Sequence, residues 1–465
     1  MQTLFRKPIL LIALLLQIPV LLMAQQPKIN NLRPYDQKGI NVFEDPKDTS
    51  TTFDGIKVKW GAGFTQQFQN LEHKNPDALN NNIGSYSNGT SVAGNKLKTI
   101  TSGFQTAQAN LYMDVQLADG IRLNVTSYMS SKHHNENWVK GGYIQFDKLP
   151  FKGEFWDKLM EITTIKIGHF EVNYGDQHFR RSDGGNALYN PFMEGYIMDA
   201  FATEIGGEVY LKKNGFFGMI GLTNGMIKGN VDSLYKASNP DGDLKKQPSI
   251  LLKAGFDRNI TKDIRLRLSA SYYGNQSSGS NVLYAGDRSG SNYQYVMELA
   301  SANPSSSTGA GTPLYTSGRM SPGFTKKVNA LMFNGFVKTH GLELFGTYET
   351  ASGRTARETD TRKASQFAVD AVYRFFKKEN VFIGARYNVA TMRLANNTTG
   401  TGAGAITYDD DIKIDRLAFG GGWFLTRNVL LKGEYVIQKY KDFPVADYRA
   451  GGEFKGYVIE AVVGF

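Results

Sequence analysis

Arg180 and Arg181 are adjacent guanidinium groups flanked by Asp176, Asp183 and Glu194. Paired arginines bind an anion through parallel N–H donors or lock into ion pairs, and on a loop that narrows a channel they set its ion preference. Arg180, Arg181, Asp183 and Glu194 are therefore the candidate constriction. Two other clusters carry less. His133-His134 with Glu136 offers a soft pair without a third spaced ligand. Asp409-Asp410-Asp411 lacks the glycine and glutamate spacing of a calcium loop and would collect a divalent cation only loosely. No nucleophile, histidine and carboxylate are grouped as catalysis requires, so no catalytic residue, metal site or cofactor is assigned.

The elements that must position such a loop are strands with one apolar face. Residues 107–117 put Ala107, Ala109, Leu111, Met113, Val115 and Leu117 opposite Gln108, Asn110, Tyr112, Asp114 and Gln116. The same alternation sets Ile264, Leu266 and Leu268 against Arg265, Arg267 and Ser269, and Phe367, Val369 and Tyr373 against Asp370 and Arg374. Repeated along a whole chain, this pattern needs an apolar outside and a polar inside. The predicted strands cover 55–68, 103–117, 120–130, 138–148, 161–171, 203–213, 215–225, 249–258, 263–273, 326–338, 341–350, 365–376, 379–392, 411–425, 428–440 and 453–465. Alternation slips in 138–148 and 326–338. Connections alternate short and long throughout, which puts short turns and both termini on the periplasmic side and long loops outside. The expected fold is all-β, a transmembrane antiparallel β-barrel of about 16 strands, with a count between 14 and 18 open.

The two ends of the chain agree with an exported barrel. Arg6 and Lys7 precede an apolar run from Ile9 to Met23 and then Ala24, the pattern of a cleaved signal peptide over 1–24. Residues 25–54 are proline-rich and without strand or helix period, a periplasmic lead-in or partial plug, and the barrel takes 55–465. The chain has 50 Gly, 24 Tyr and no Cys, which excludes disulfides and thiolate metal sites. Its charge of +10 falls to +8 once Arg6 and Lys7 are removed, too small an excess for a nucleic-acid partner. The final residues, Tyr457 to Phe465, alternate and end on an aromatic. That ending resembles the closing strand of bacterial outer-membrane barrels, and the resemblance implies an assembly signal at Tyr457 and Phe465 read by the barrel-assembly machinery.

The stretch Ile165-Lys-Ile-Gly-His-Phe-Glu-Val-Asn-Tyr-Gly175, continuing to Asn190-Pro-Phe192, is similar to the strand-then-loop segment of the phosphate-selective porin O and P family of Gram-negative outer membranes. The resemblance implies a third loop, here 172–202, folded into the lumen, and basic residues lining the pore. The loop lacks a row of lysines, which argues against phosphate selectivity. By face assignment the wall offers Lys166, Arg265, Arg267, Arg374, Arg386 and Arg416, nearly balanced by Asp114, Glu208, Asp257, Glu343, Asp370 and Glu434. The expectation is a porin-like outer-membrane channel for small hydrophilic solutes or ions with a slight anion preference. A barrel serving as a surface or secretion-accessory interaction protein is the alternative, and a barrel enzyme the weakest reading. Expected partners are outer-membrane lipid and lipopolysaccharide, the assembly machinery, small solutes or anions, and a second copy of the chain or a surface protein.

Overall fold

The computed structural model describes residues 26–48, 52–76, 83–85, 91–93, 96–105, 107–130, 136–226, 240, 245–287, 290–300, 316–397 and 406–465. The signal segment 1–24 and the His133-His134 pair lie outside the described residues. Sixteen antiparallel strands form one sheet: β1 (Lys57–Lys74), β2 (Gln108–Ala118), β3 (Ile121–Ser130), β4 (Glu136–Phe146), β5 (Thr163–Glu171), β6 (Thr203–Lys213), β7 (Phe216–Thr223), β8 (Ser249–Asn259), β9 (Ile264–Asn275), β10 (Lys327–Thr339), β11 (Leu342–Arg354), β12 (Arg362–Phe375), β13 (Val381–Met392), β14 (Ile412–Thr426), β15 (Val429–Lys441) and β16 (Glu453–Gly464). A two-residue piece, Gly103–Phe104, extends the pairing of β2 along β1. The sheet closes on itself. Gly63 to Lys74 of β1 pair with Gly464 to Glu453 of β16, while Lys57 to Thr65 pair with β2.

Closure leaves no sheet edge, and the outward side chains are apolar. Trp60, Phe64, Ile167, Ile220, Leu268, Phe333, Phe367, Phe419 and Tyr457 are all exposed on the outer wall. A fully paired barrel with an apolar belt is the strand-built structure that hydrocarbon tolerates, so the chain is a transmembrane barrel of the outer-membrane kind. No described helix is long and apolar enough to cross a membrane. The hairpins are tight where the sequence supplies the turn residues. Asn214 and Gly215 link β6 to β7 with φ of 54° and 86°, the positive angles that a two-residue hairpin turn requires.

Both strands whose alternation slips are present, for different reasons. In β4, Gly141 opposes Thr126 and Val139 opposes Ser127, so Lys140 is an extra, bulged residue that shifts the pattern by one. In β10 the ladder is regular, but Val328, Ala330, Met332 and Phe336 face inward and are buried. The lumen beside β10 is apolar because chain fills it. Two strands outrun their expected ends. β1 reaches Lys74 rather than 68, and β11 reaches Arg354 rather than 350, because ladder bonds continue past the lipid belt where no apolar face is needed.

Candidate functional site

Three segments enter the barrel. Residues 26–48 cross the mouth of the barrel at its short-turn end, fastened at both sides. Gln37 donates its backbone N–H to Arg427 O at 2.9 Å and its amide to Lys378 O and Glu379 O, both at 3.0 Å. Across the mouth, Lys47 Nζ donates to Asp147 O and Thr163 O, both at 2.6 Å. Between them Tyr35 donates to Asp114 Oδ2 at 2.9 Å and Phe43 packs edge-on against Phe179 and Phe336. Glu44 meets Lys253 at 3.3 Å and Arg267 at 2.9 Å, and these cations hold its carboxyl well below its usual range against the opposing effect of burial.

The 172–202 loop lies inside the lumen. Its root is fixed by Asp176, which takes two hydrogen bonds of 2.8 Å from Arg267 and a contact of 2.8 Å from Lys253. Burial would raise the Asp176 carboxyl, but Lys253 and Arg267 outweigh it and lower it. Its middle is fixed by Lys432, whose ammonium donates to Ala187 O, Asn190 O and Phe192 O at 2.9 to 3.0 Å while pairing with Glu460 at 2.9 Å. The returning limb is fixed by wall amides. Asn388 Oδ1 accepts from Ile197 N at 2.7 Å and Gln366 Oε1 from Met198 N at 2.8 Å.

Within this loop the two arginines part. Arg181 is locked by Asp199, at 2.5 and 3.1 Å, and by Asp183 at 3.0 Å. Asp183 is also paired with the bulged Lys140. Burial and the neighbouring Asp287 push the Asp183 carboxyl up, and Lys140 and Arg181 oppose that shift. Glu194 is buried. Desolvation would raise it, but Arg319, 2.6 Å from Oε1, and the Asn292 N–H, 2.8 Å from Oε2, hold it at about 2. Arg180 points elsewhere, over the Phe345 ring at 4.7 Å and 4.0 Å from Asp370.

The third segment is the described part of the connection between β9 and β10, residues 276–287, 290–300 and 316–326, which folds in above that loop. Tyr284 donates to Glu349 at 2.7 Å, Tyr293 to Glu434, and Ser291 to Glu194 at 3.1 Å. Together the two loops bring Val172, Met193, Ile197, Met198, Leu283, Val296 and Met297 against the inward side chains of Val328, Met332, Ile412, Ile414 and Val458, a hydrophobic core inside the barrel.

The basic wall residues hold these segments. Arg265 pairs with Asp257 at 2.7 Å and donates to Asn41 O at 2.9 Å. Arg374 donates to Glu343 at 2.8 Å. Arg386 takes Asp370 at 2.7 and 2.8 Å and donates to Glu194 O at 2.7 Å. Arg416 donates to Gly195 O at 2.8 Å and Gly318 O at 2.6 Å. Lys166 differs. It lies 3.9 Å from Glu208 and over the rings of Tyr143 and Phe170 at 4.2 and 4.3 Å, with no hydrogen bond. Residues that the sequence reading missed are Glu44, Asp199 and Arg319, ion partners supplied by segments without strand period, and Lys140, which the β4 bulge turns inward out of register. The exposed Asp411 accepts from Arg393 at 3.2 Å on the surface, remote from the lumen.

Lys166 faces a cavity of about 240 Å³ along the wall of β2 to β6, bounded inside by Arg33, Phe43 and Glu44 of the N-terminal segment and by Asn173, His178 and Asn186 of the loop. Its wall is mixed: Asn110, Asp114, Asn124, Thr126, Gln145 and Thr164 contribute amides, hydroxyls and a carboxylate, and Tyr112, Tyr143, Phe170 and Tyr210 contribute rings. At the closing seam, Phe465 exchanges backbone hydrogen bonds with Ala62 at 2.9 and 3.0 Å, its ring exposed, and Tyr457 stands between Asn70 and Tyr435 on the outer face.

No family model matches the chain, and no curated protein does. Among solved structures it is similar to an anion-selective porin from Comamonas acidovorans, at 10% identity and a TM-score of 0.48 over 88% of this chain and 100% of that one. It is likewise similar to a loop-deletion mutant of OmpT, an outer membrane protein of Vibrio cholerae, at 11% identity and 0.47 over 89% and 100%. The outer membrane channel DcaP of Acinetobacter baumannii is similar at 11% and 0.45 over 90% and 99%. Likeness at this level transfers neither a solute nor a role to this chain.

Proposed function

We propose that the chain is a narrow porin-like channel for small hydrophilic solutes and ions, with its path along the β2–β6 wall rather than through the barrel axis. The observation that carries this reading is the cavity beside Lys166, which runs between the wall and the inserted segments and is lined by charged and amide side chains among its aromatic rings. Its volume of about 240 Å³ is room for a group of water molecules and suits small solutes. Arg33, Lys140, Lys166 and Lys212 line it against Glu44, Asp45, Asp114 and Glu171, so a strong charge preference is not expected. A slight anion preference rests on Lys166, whose ammonium makes no hydrogen bond. The resemblance of 165–192 to phosphate-selective porins supports the inward loop and not a phosphate site, since the loop carries no row of lysines and Arg181 is spent on Asp199 and Asp183. Single-channel conductance in planar bilayers, with reversal potentials across a salt gradient, tests the reading. Small, weakly selective steps are expected.

The hydrophobic core inside the barrel favours one second reading, a barrel sealed by its own loops that serves a surface or secretion partner. Bilayers that stay silent with folded protein would select it.

A further inference from the structure

Among the described residues, Arg180, unlike Arg181, meets no hydrogen-bond acceptor. It ends the short helix Gln177–Arg180, it is only 4% exposed, and its Nε, Nη1 and Nη2 atoms make no hydrogen bond. Asp370 lies 4.0 Å away, but its two oxygens already accept from Arg386 at 2.7 and 2.8 Å. Arg180 also acts electrostatically on Glu343, whose Oε1 is taken by Arg374 at 2.8 Å and Asn41 at 2.6 Å. Lys338, 3.4 Å from Glu343, is bonded to Glu379 at 2.5 Å.

Pairing Arg386 with Asp370, Arg374 with Glu343 and Lys338 with Glu379 leaves one positive charge over, that of Arg180. The donors are in surplus as well. A guanidinium presents five N–H groups, and Arg374 Nη1 is also without an acceptor, whereas the unpartnered buried acceptors around it among the described residues are single oxygens of Glu343, Asn41, Gln177 and Tyr196, fewer than the N–H groups to be met. A buried, uncompensated charge is costly. What answers both surpluses is a species that only accepts and carries one negative charge. A polyvalent oxyanion such as phosphate would set its second charge against Asp370 and Glu343.

We propose that Arg180 holds a small monovalent anion, a halide such as chloride, inside the barrel between the 172–202 loop and the β11–β12 wall. Bound there, the anion is part of what fixes the loop to that wall, whether or not solutes pass elsewhere. Two measurements with bromide and chloride as probes decide it. Crystals of the full barrel grown in bromide should show an anomalous-scattering peak within hydrogen-bond reach of the Arg180 guanidinium. The unfolding temperature of the detergent-solubilised protein should rise with chloride or bromide relative to gluconate at equal ionic strength, by mass action on the folded state. Arg180→Met should lose both the peak and the halide dependence, and Arg180→Lys should keep a weakened dependence. No anomalous peak at Arg180 in the wild-type protein would overturn the proposal even if Arg180→Met does not fold. So would halide stabilisation undiminished in Arg180→Met.

Discussion

Arg267 on β9 grips Asp176, at the root of the lumen loop, through two parallel hydrogen bonds of 2.8 Å, and with the same guanidinium reaches Glu44 of the N-terminal segment at 2.9 Å. One buried side chain thus ties wall, loop and mouth together. Replacing it by methionine leaves Asp176 with Lys253 and the Ser269 hydroxyl, and Glu44 with Lys253 and the Asn173 amide. Breaking a buried pair this way costs about 3–5 kcal/mol. Arg267→Met should therefore lower the unfolding temperature, expose residues 26–48 to protease and enlarge single-channel conductance. Unchanged conductance and protease resistance would mean that the segment is held by other contacts.

Arg181 and Arg180 should separate in stability assays. Arg181→Ala leaves Asp199 with Arg319 at 3.4 Å and Asp183 with Lys140, so the 172–202 loop should become the first protease-sensitive site of the folded barrel. Lys432→Met is expected to act alike, since it frees Glu460 and three loop carbonyls. Limited proteolysis followed by mass mapping reads both.

Glu298 gives a pH dependence whose sign is fixed. It lies in the 276–326 connection and accepts from Ser317 at 3.0 Å, and burial pushes its carboxyl up to about 7, with Ser317, Arg449 and Lys98 pulling the other way. An unfolded glutamate titrates near ~4.3. Between those values the folded connection holds a proton that the unfolded chain has lost, so its contribution is full below pH ~4.3 and is lost as pH rises through 7. Hydrogen exchange of residues 290–300 should quicken from pH 5 to 8 after correction for intrinsic rates. Glu298→Gln should flatten the trend, and an unaltered trend in that variant would assign it to another group.

Deleting Phe465 removes two backbone hydrogen bonds to Ala62 and an exposed ring, while the β1–β16 register from Gly63 to Lys74 stays whole. The folded barrel should lose only about 1–2 kcal/mol. Refolding in detergent should succeed, with heat-modifiable gel migration retained. Assembly in cells should fall sharply if the terminal aromatic is read as a signal. Normal assembly in cells would reduce Phe465 to a strand end.

The strands were legible because lipid demands one apolar face, a constraint that acts residue by residue and shows as alternation in 107–117 or 264–272. It failed only where a second demand overlaid it. Lys140 shifts β4 by a bulge, and Val328, Ala330, Met332 and Phe336 serve an interior core. Those inward apolar residues were the available sign that the lumen is filled. Arg180 and Arg181 looked like one unit in sequence, yet Arg181 is locked to Asp199 while Arg180 turns to the β11–β12 wall, over Phe345 and 4.0 Å from an Asp370 already held by Arg386. Glu44 and Arg267 are 223 residues apart, and no local period connects them.

The chain contains no cysteine, so a single introduced thiol can be addressed chemically. The most direct test of an off-axis path is Thr126→Cys, on β3 and facing the cavity beside Lys166, reconstituted in a planar bilayer and treated with a charged, thiol-specific methanethiosulfonate. Current through Thr126→Cys channels should fall by more than half on modification, while wild-type current is untouched. Undiminished current after complete modification would contradict a path along the β2–β6 wall.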